Sequence, residues 1–141
     1  MQFKLSYYHF KGFLILLNGV FNIITFKSLI IFIFIMYLTQ KKCVPCEAGT
    51  HPLKEGKVND LINQIPSWTL KDGRLCKKFK FKDFAEAMKF INSVAGIAEH
   101  EGHHPDFCVH YNKVEMEIWT HAIGGLSEND FILAAKIDRI A

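Results

Sequence analysis

The chain has 141 residues, with 17 Lys and Arg against 14 Asp and Glu and a formal charge of +3. Residues 1–35 hold Lys4, Lys11 and Lys27 and no acid, so residues 36–141 balance 14 bases against 14 acids. That balance excludes a basic nucleic-acid-binding face, the charged and apolar content excludes intrinsic disorder, and about 100 residues bury a core without disulfides or a structural metal.

The chain divides near Met36. Seven of the 13 Phe fall in residues 1–35. Residues 28–38 are almost wholly apolar, and 13–26 are apolar apart from Asn18 and Asn22. About 20 apolar residues span a bilayer. Residues 13–38 reach that length, with Lys27 near the middle at a cost of about 3 kcal/mol. Leu38-Thr39-Gln40-Lys41-Lys42 follows in place of a small-residue cleavage site, and the segment lacks the Arg of a mitochondrial presequence. Three readings stand: a translated leader before an initiator at Met36, a membrane anchor, or a targeting segment. Each divides the chain into a hydrophobic extension over 1–35 and a domain over 36–141.

Residues 40–51 read as a polar lead-in carrying Cys43-Val44-Pro45-Cys46. Val58, Leu61, Ile62 and Ile65 recur at helical spacing, which predicts a helix over 53–65 stopped by Pro66. Residues 68–70 are short and β-prone, and Lys71-Asp72-Gly73-Arg74 carries the Asp-Gly of a hairpin turn. Residues 75–81 alternate Leu75, Lys77, Phe79 and Phe81 against Cys76, Lys78 and Lys80, which predicts a strand. A long helix follows over 84–101. Its apolar stripe is Phe84, Ala87, Met88, Ile91, Val94, Ala95 and Ala98. Asp83 is placed to cap it, and Gly102 and Pro105 end it.

Residues 107–111 and 114–120 read as two strands joined at Tyr111-Asn112-Lys113. In the second, Val114, Met116, Ile118 and Thr120 share one face, and Lys113, Glu115, Glu117, Trp119 and His121 share the other. Gly124-Gly125 is a turn. Ser127 and Asp130 resemble a capping box, and Phe131, Ala134, Ala135, Ile137 and Ile140 mark a last helix. The order α-β-β-α-β-β-α predicts an α+β fold: a four-stranded antiparallel sheet with three helices packed on one face. The face of Trp119 and His121 is then open.

Six of the seven histidines follow Met36, and five lie between His100 and His121. Two of them beside an open sheet face supply an acid and a base near neutral pH. The plainer reading is a polar helix C-terminus, where cationic side chains are favourable. His100-Glu101-Gly102-His103-His104 nominally matches a zinc-peptidase pattern, but Gly102 and Pro105 break the helix it needs. Cys43 and Cys46 have the spacing of a zinc or redox pair without a second Cys pair. Cys76 and Cys108 are expected as small buried side chains. Phosphate-binding, dinucleotide-binding and serine-nucleophile motifs are absent from the sequence. Trp68, Phe107 and Trp119 are core residues or pocket wall.

Several motifs in order resemble one family. They are Phe81-Lys82-Asp83-Phe84, His103-His104-Pro105-Asp106, Tyr111-Asn112-Lys113-Val114, Thr120-His121, and Gly124-Gly125-Leu126-Ser127 with Asp130. Together with the Pro66-Ser67-Trp68 approach to the first strand, they resemble the pterin-4a-carbinolamine dehydratases from about Leu38 to the C-terminus.

The resemblance implies dehydration of a 4a-hydroxytetrahydropterin, such as 4a-hydroxytetrahydrobiopterin, to quinonoid dihydropterin and water in pterin recycling. It implies a catalytic trio of His103, His104 and His121: His103 donating to the leaving hydroxyl, His121 as base, His104 orienting the ring. Asp130 would orient a histidine, and Trp68, Glu99, Pro105, Phe107 and Thr120 would shape the pterin pocket. No cofactor or metal is implied, since the pterin is the substrate. The family also implies a homodimer or homotetramer, and a second role as a non-catalytic dimerisation cofactor. A cytoplasmic location is expected, or a membrane-anchored one through residues 13–38. Ala122 departs from the carboxylate common after the histidine, and Gly102 stands where an acidic residue can occur.

Overall fold

The computed structural model describes residues 37–45 and 51–141. Residues 1–35 and Cys46, with the readings attached to them, lie outside that range. Helix α1 spans Glu55–Ile62, strand β1 Thr69–Lys71, β2 Arg74–Lys80, helix α2 Phe84–Glu101, β3 Asp106–His110, β4 Lys113–Ile118 and helix α3 Glu128–Asp138. A short 3-10 turn, His121–Ile123, links β4 to α3. Among the described residues the strands form one antiparallel sheet in the order β1-β2-β4-β3. This is the expected α+β architecture.

The β1–β2 hairpin turns on Asp72 and Gly73, both at positive φ (49° and 74°), as the two-residue loop with the right twist requires. Leu75 faces Ile118, Lys77 faces Met116 and Phe79 faces Val114 across β2 and β4. The period of two therefore buries Leu75, Phe79, Val114, Met116 and Ile118 together. Lys78 and Glu115, paired on the other face, meet at 2.7 Å in the open. Cys76 and Cys108 share that outer parity, so they are half-buried and exposed rather than core residues.

Asp83 caps α2 by accepting the Glu86 N–H at 2.9 Å, and Glu86 accepts the Lys82 N–H in return. Gly102 ends the helix at φ 64°, and the His103 N–H reaches back to the Ala98 carbonyl. The buried stripe is Ala87, Phe90, Ile91, Val94 and Ala98, ending on Glu101. Phe84 is 50 % exposed and Ala95 is exposed, unlike the predicted stripe. Phe90 takes the place of Phe84 because its ring packs on Phe79 and Phe81, with centroids 4.7 and 4.9 Å away.

Two further elements differ from the sequence reading. Helix α1 stops at Ile62, and Ile65 is buried through successive turns rather than helix. Helix α3 buries Phe131, Ile132, Leu133, Ala134, Ala135 and Ile137 instead of one stripe, and Ile140 lies beyond its end, 40 % exposed. The reason is a second cover: the lead-in is docked, not merely polar. Leu38 is fully buried, Lys41 pairs with Glu128 at 2.6 Å, and Val44 exchanges two hydrogen bonds with the Asn129 amide. Among the described residues no helix is long and apolar enough to cross a membrane.

Residues 120–126 are held in shape by paired hydrogen bonds between Thr120 and Gly125 and by the Leu53 N–H on the Leu126 carbonyl. A Cβ on Gly125 would stand 2.8 Å from the Pro52 Cβ. Gly125→Ala is therefore expected to cost about 1–3 kcal/mol, read as a lower urea midpoint at unchanged slope.

Candidate functional site

The left-handed exit of α2 turns His103 toward the start of α3. There its Nε2 donates to Asp130 Oδ1 at 2.7 Å. Asp130 is 0 % exposed. Its other oxygen accepts the Ser127 N–H at 2.6 Å and the Thr120 hydroxyl at 2.9 Å. Thr120 and Ser127 hydroxyls meet at 2.7 Å. Ser127 and Asp130 form the expected capping box. One carboxylate thus closes a helix, fixes a threonine and anchors a histidine.

The other two histidines follow the same rule in more open surroundings. His104 Nε2 lies 2.8 Å from Glu99 Oε1, one turn back along α2. His121 begins the 3-10 turn, and its Nε2 lies 3.1 Å from Asp106 Oδ2. That oxygen also accepts the Trp119 indole N–H at 2.9 Å, and the two rings stack with centroids 4.1 Å apart. The Trp119 hydrogen bond first, then that of His121, outweighs burial and holds the Asp106 carboxyl below its ordinary value. An ionised carboxylate only accepts. Each imidazole that donates from Nε2 therefore keeps Nδ1 free to take a proton.

The three histidines line one cleft of about 350 Å³ together with Gly102, Asp106, Trp119, Thr120 and Ala122. Val44, Pro45 and Asn129 complete its wall. Asp130 stands behind His103, and Glu99 holds His104. Pro105, Trp68 and Phe107 are not in the wall. Trp68 is 3 % exposed, with its ring edge against Phe79 and its N–H on Asp138 at 2.9 Å. Phe107 pairs with Met116 on the helix-covered parity, so strand alternation gives the cleft to its neighbour Asp106.

Asp106, Val44, Pro45 and Asn129 are cleft residues the sequence reading did not assign to the site, and Trp119, left there as core or pocket wall, stands in the wall. Trp119 and Asp106 had a signal, since alternation places them on the open face. Val44 and Pro45 had none, because docking of the lead-in depends on a partner 85 residues away.

The His-Glu-Gly-His-His pattern does not form on a helix, because α2 ends at Glu101. Glu101 is buried and accepts from Lys136 Nζ at 2.6 Å and the Cys43 N–H at 2.9 Å. Among the described residues no group of three His, Cys, Asp or Glu is placed to hold a metal ion. Burial, then the nearby Glu101 charge, pushes the Cys43 thiol up to about 12, the opposite of a reactive thiolate.

Burial alone opposes ionisation of Glu101, but the Lys136 ammonium and the Cys43 N–H hold its carboxyl below the ordinary 4.5. The folded state therefore binds fewer protons there than the unfolded chain, and the resulting stability is present above that pH and lost on acidification through the lower folded value. Unfolding free energy should fall more steeply in the natural chain than in Glu101→Gln between about pH 5 and pH 3, measured by urea titration.

The family model described as pterin 4 alpha carbinolamine dehydratase matches residues 51–140. A Nitrosomonas eutropha protein provisionally named a pterin-4-alpha-carbinolamine dehydratase is 47% identical over 104 residues, covering 73% of this chain and 92% of that protein. A Rubrobacter xylanophilus protein given the same provisional name is 43% identical over 73% of this chain and 97% of its own length. A crystal structure titled transcriptional coactivator/pterin dehydratase from Brucella melitensis superposes with a TM-score of 0.62 at 33% identity, covering 64% of this chain and 99% of that one.

Proposed function

The chain belongs to the pterin 4 alpha carbinolamine dehydratase family, and on that premise we propose that it dehydrates 4a-hydroxytetrahydrobiopterin to quinonoid dihydropterin and water by histidine acid–base catalysis. The observation that carries the mechanism is the gathering of His103, His104 and His121 on one cleft, each with Nε2 on a carboxylate.

Loss of water from a carbinolamine needs a lone pair, a better leaving group and a proton acceptor. The adjacent ring nitrogen pushes its lone pair into a C=N bond as the C–O bond breaks. A protonated His103 delivers its proton to the departing hydroxyl, which leaves as water. His121 takes the proton from the ring nitrogen, so electrons and protons balance. His104 hydrogen-bonds the ring and orients it. The Asp130 carboxylate keeps His103 in one orientation. None of these steps calls on a metal or a redox cofactor. The cleft volume suits a bicyclic heterocycle, with Trp119 as an aromatic wall.

The same proposal includes assembly into a homodimer or homotetramer and a cytoplasmic location. The sheet leaves β1 and β3 as edges, with Leu70 and Phe107 exposed on them. The coactivator half of the Brucella protein's title belongs to that protein, and no observation here favours a purely non-catalytic role.

His103→Ala and His121→Ala should each lower kcat for carbinolamine dehydration by about 10²–10⁴-fold. His104→Ala should act mainly on KM. Stopped-flow absorbance with 4a-hydroxytetrahydrobiopterin measures both, and unchanged rates in the first two variants would remove the mechanism.

A further inference from the structure

We propose that Asp106 and Trp119 are positioning residues for His121, fixing its ring so that Nε2 donates and Nδ1 is left to accept the substrate's proton. This rests on the catalytic reading above and deepens it.

His121 needs such a device more than His103 does. Its side chain is 59% exposed, whereas that of His103 is 11% exposed. A free imidazole at a turn rotates about its last bond and exchanges the roles of its two nitrogens. One exposed carboxylate contact is too weak to prevent that.

Two restraints act together here. The Asp106 oxygen that accepts from His121 is held by the Trp119 N–H, so the acceptor itself is fixed. The Trp119 ring lies along the imidazole at an interplanar angle of 29°, which limits tilting. Trp119 is braced in turn: the Arg74 guanidinium lies 4.6 Å from its ring centroid and is tied to Glu117 at 2.7 Å.

The strand registers bring these groups together. Asp106 pairs with Glu117, Glu117 pairs with Cys76, and Arg74 and Trp119 are each two residues away from that row. Glu117 from β4 is paired with Arg74 from β2, and His103 and His104 line the same cleft. Asp106 is the carboxylate in contact with the imidazole.

The test reads the tautomer of His121 in the full chain by long-range ¹H–¹⁵N correlation of labelled histidine, above the imidazole titration range. The natural chain should show Nε2–H. Asp106→Ala should give a mixture of both tautomers, with kcat about tenfold lower and KM within about twofold. Asp106 is half-exposed at a strand end, and circular dichroism checks that the fold is kept. Trp119→Phe keeps the stack without the N–H and should lose less kcat than Trp119→Ala, which loses both. An unchanged tautomer in Asp106→Ala, or equal kcat in Trp119→Ala and the natural chain, overturns the proposal. The tautomer does not depend on turnover. Full activity in His121→Ala would instead remove the catalytic role of that histidine, so the two failures are distinguishable.

Discussion

The buried carboxylate of Asp130 is the group on which the site depends. It has no solvent to fall back on, so each oxygen must be satisfied from within. The Ser127 N–H and the Thr120 hydroxyl take one oxygen, and the His103 imidazole takes the other. Removing a partner leaves a buried charge underserved, which is far more costly than losing a surface pair. Because α3 is buried along its length, Asp130 cannot shift to compensate. The orientation of His103 is therefore set by the core and not by local flexibility.

The first turn of α3 organises His103 and the segment before α1 together. Glu128 holds Lys41, Asn129 holds both backbone groups of Val44, and Asp130 holds His103. Glu101 at the end of α2 adds the Cys43 N–H and Lys136. Successive side chains thus dock residues 41–44 on one side and the His103 loop on the other. The cleft lies between them, walled by Val44 and Pro45 as well as by the histidines. The walls of the cleft and the packing of the core are thus tied together through a single helix turn.

The three imidazole–carboxylate pairs differ in their access to water. His103 and Asp130 are shielded, while His104 with Glu99 and His121 with Asp106 are open. Water screens the open pairs, so they orient a ring only weakly by charge. A shielded pair fixes its ring by itself. An open pair needs further contacts, which the Trp119 stack supplies for His121.

Local signals in the sequence specified the strands, the long helix with its Asp83 cap, the Asp-Gly hairpin and the Ser127–Asp130 box, because hydrogen bonds within a few residues and a period of two or 3.6 decide those features. The histidine motifs carried the family resemblance and so the chemistry. Tertiary structure decided which side chains share the cleft. It sent Trp68 to Asp138, moved Phe107 off the cleft in favour of Asp106, and folded Val44 and Pro45 into the wall. Those outcomes rest on contacts such as His103–Asp130 and Val44–Asn129, which span 27 and 85 residues. No periodicity encodes a contact of that kind; it exists only once the sheet and helices have packed and the partners have been brought within hydrogen-bonding reach.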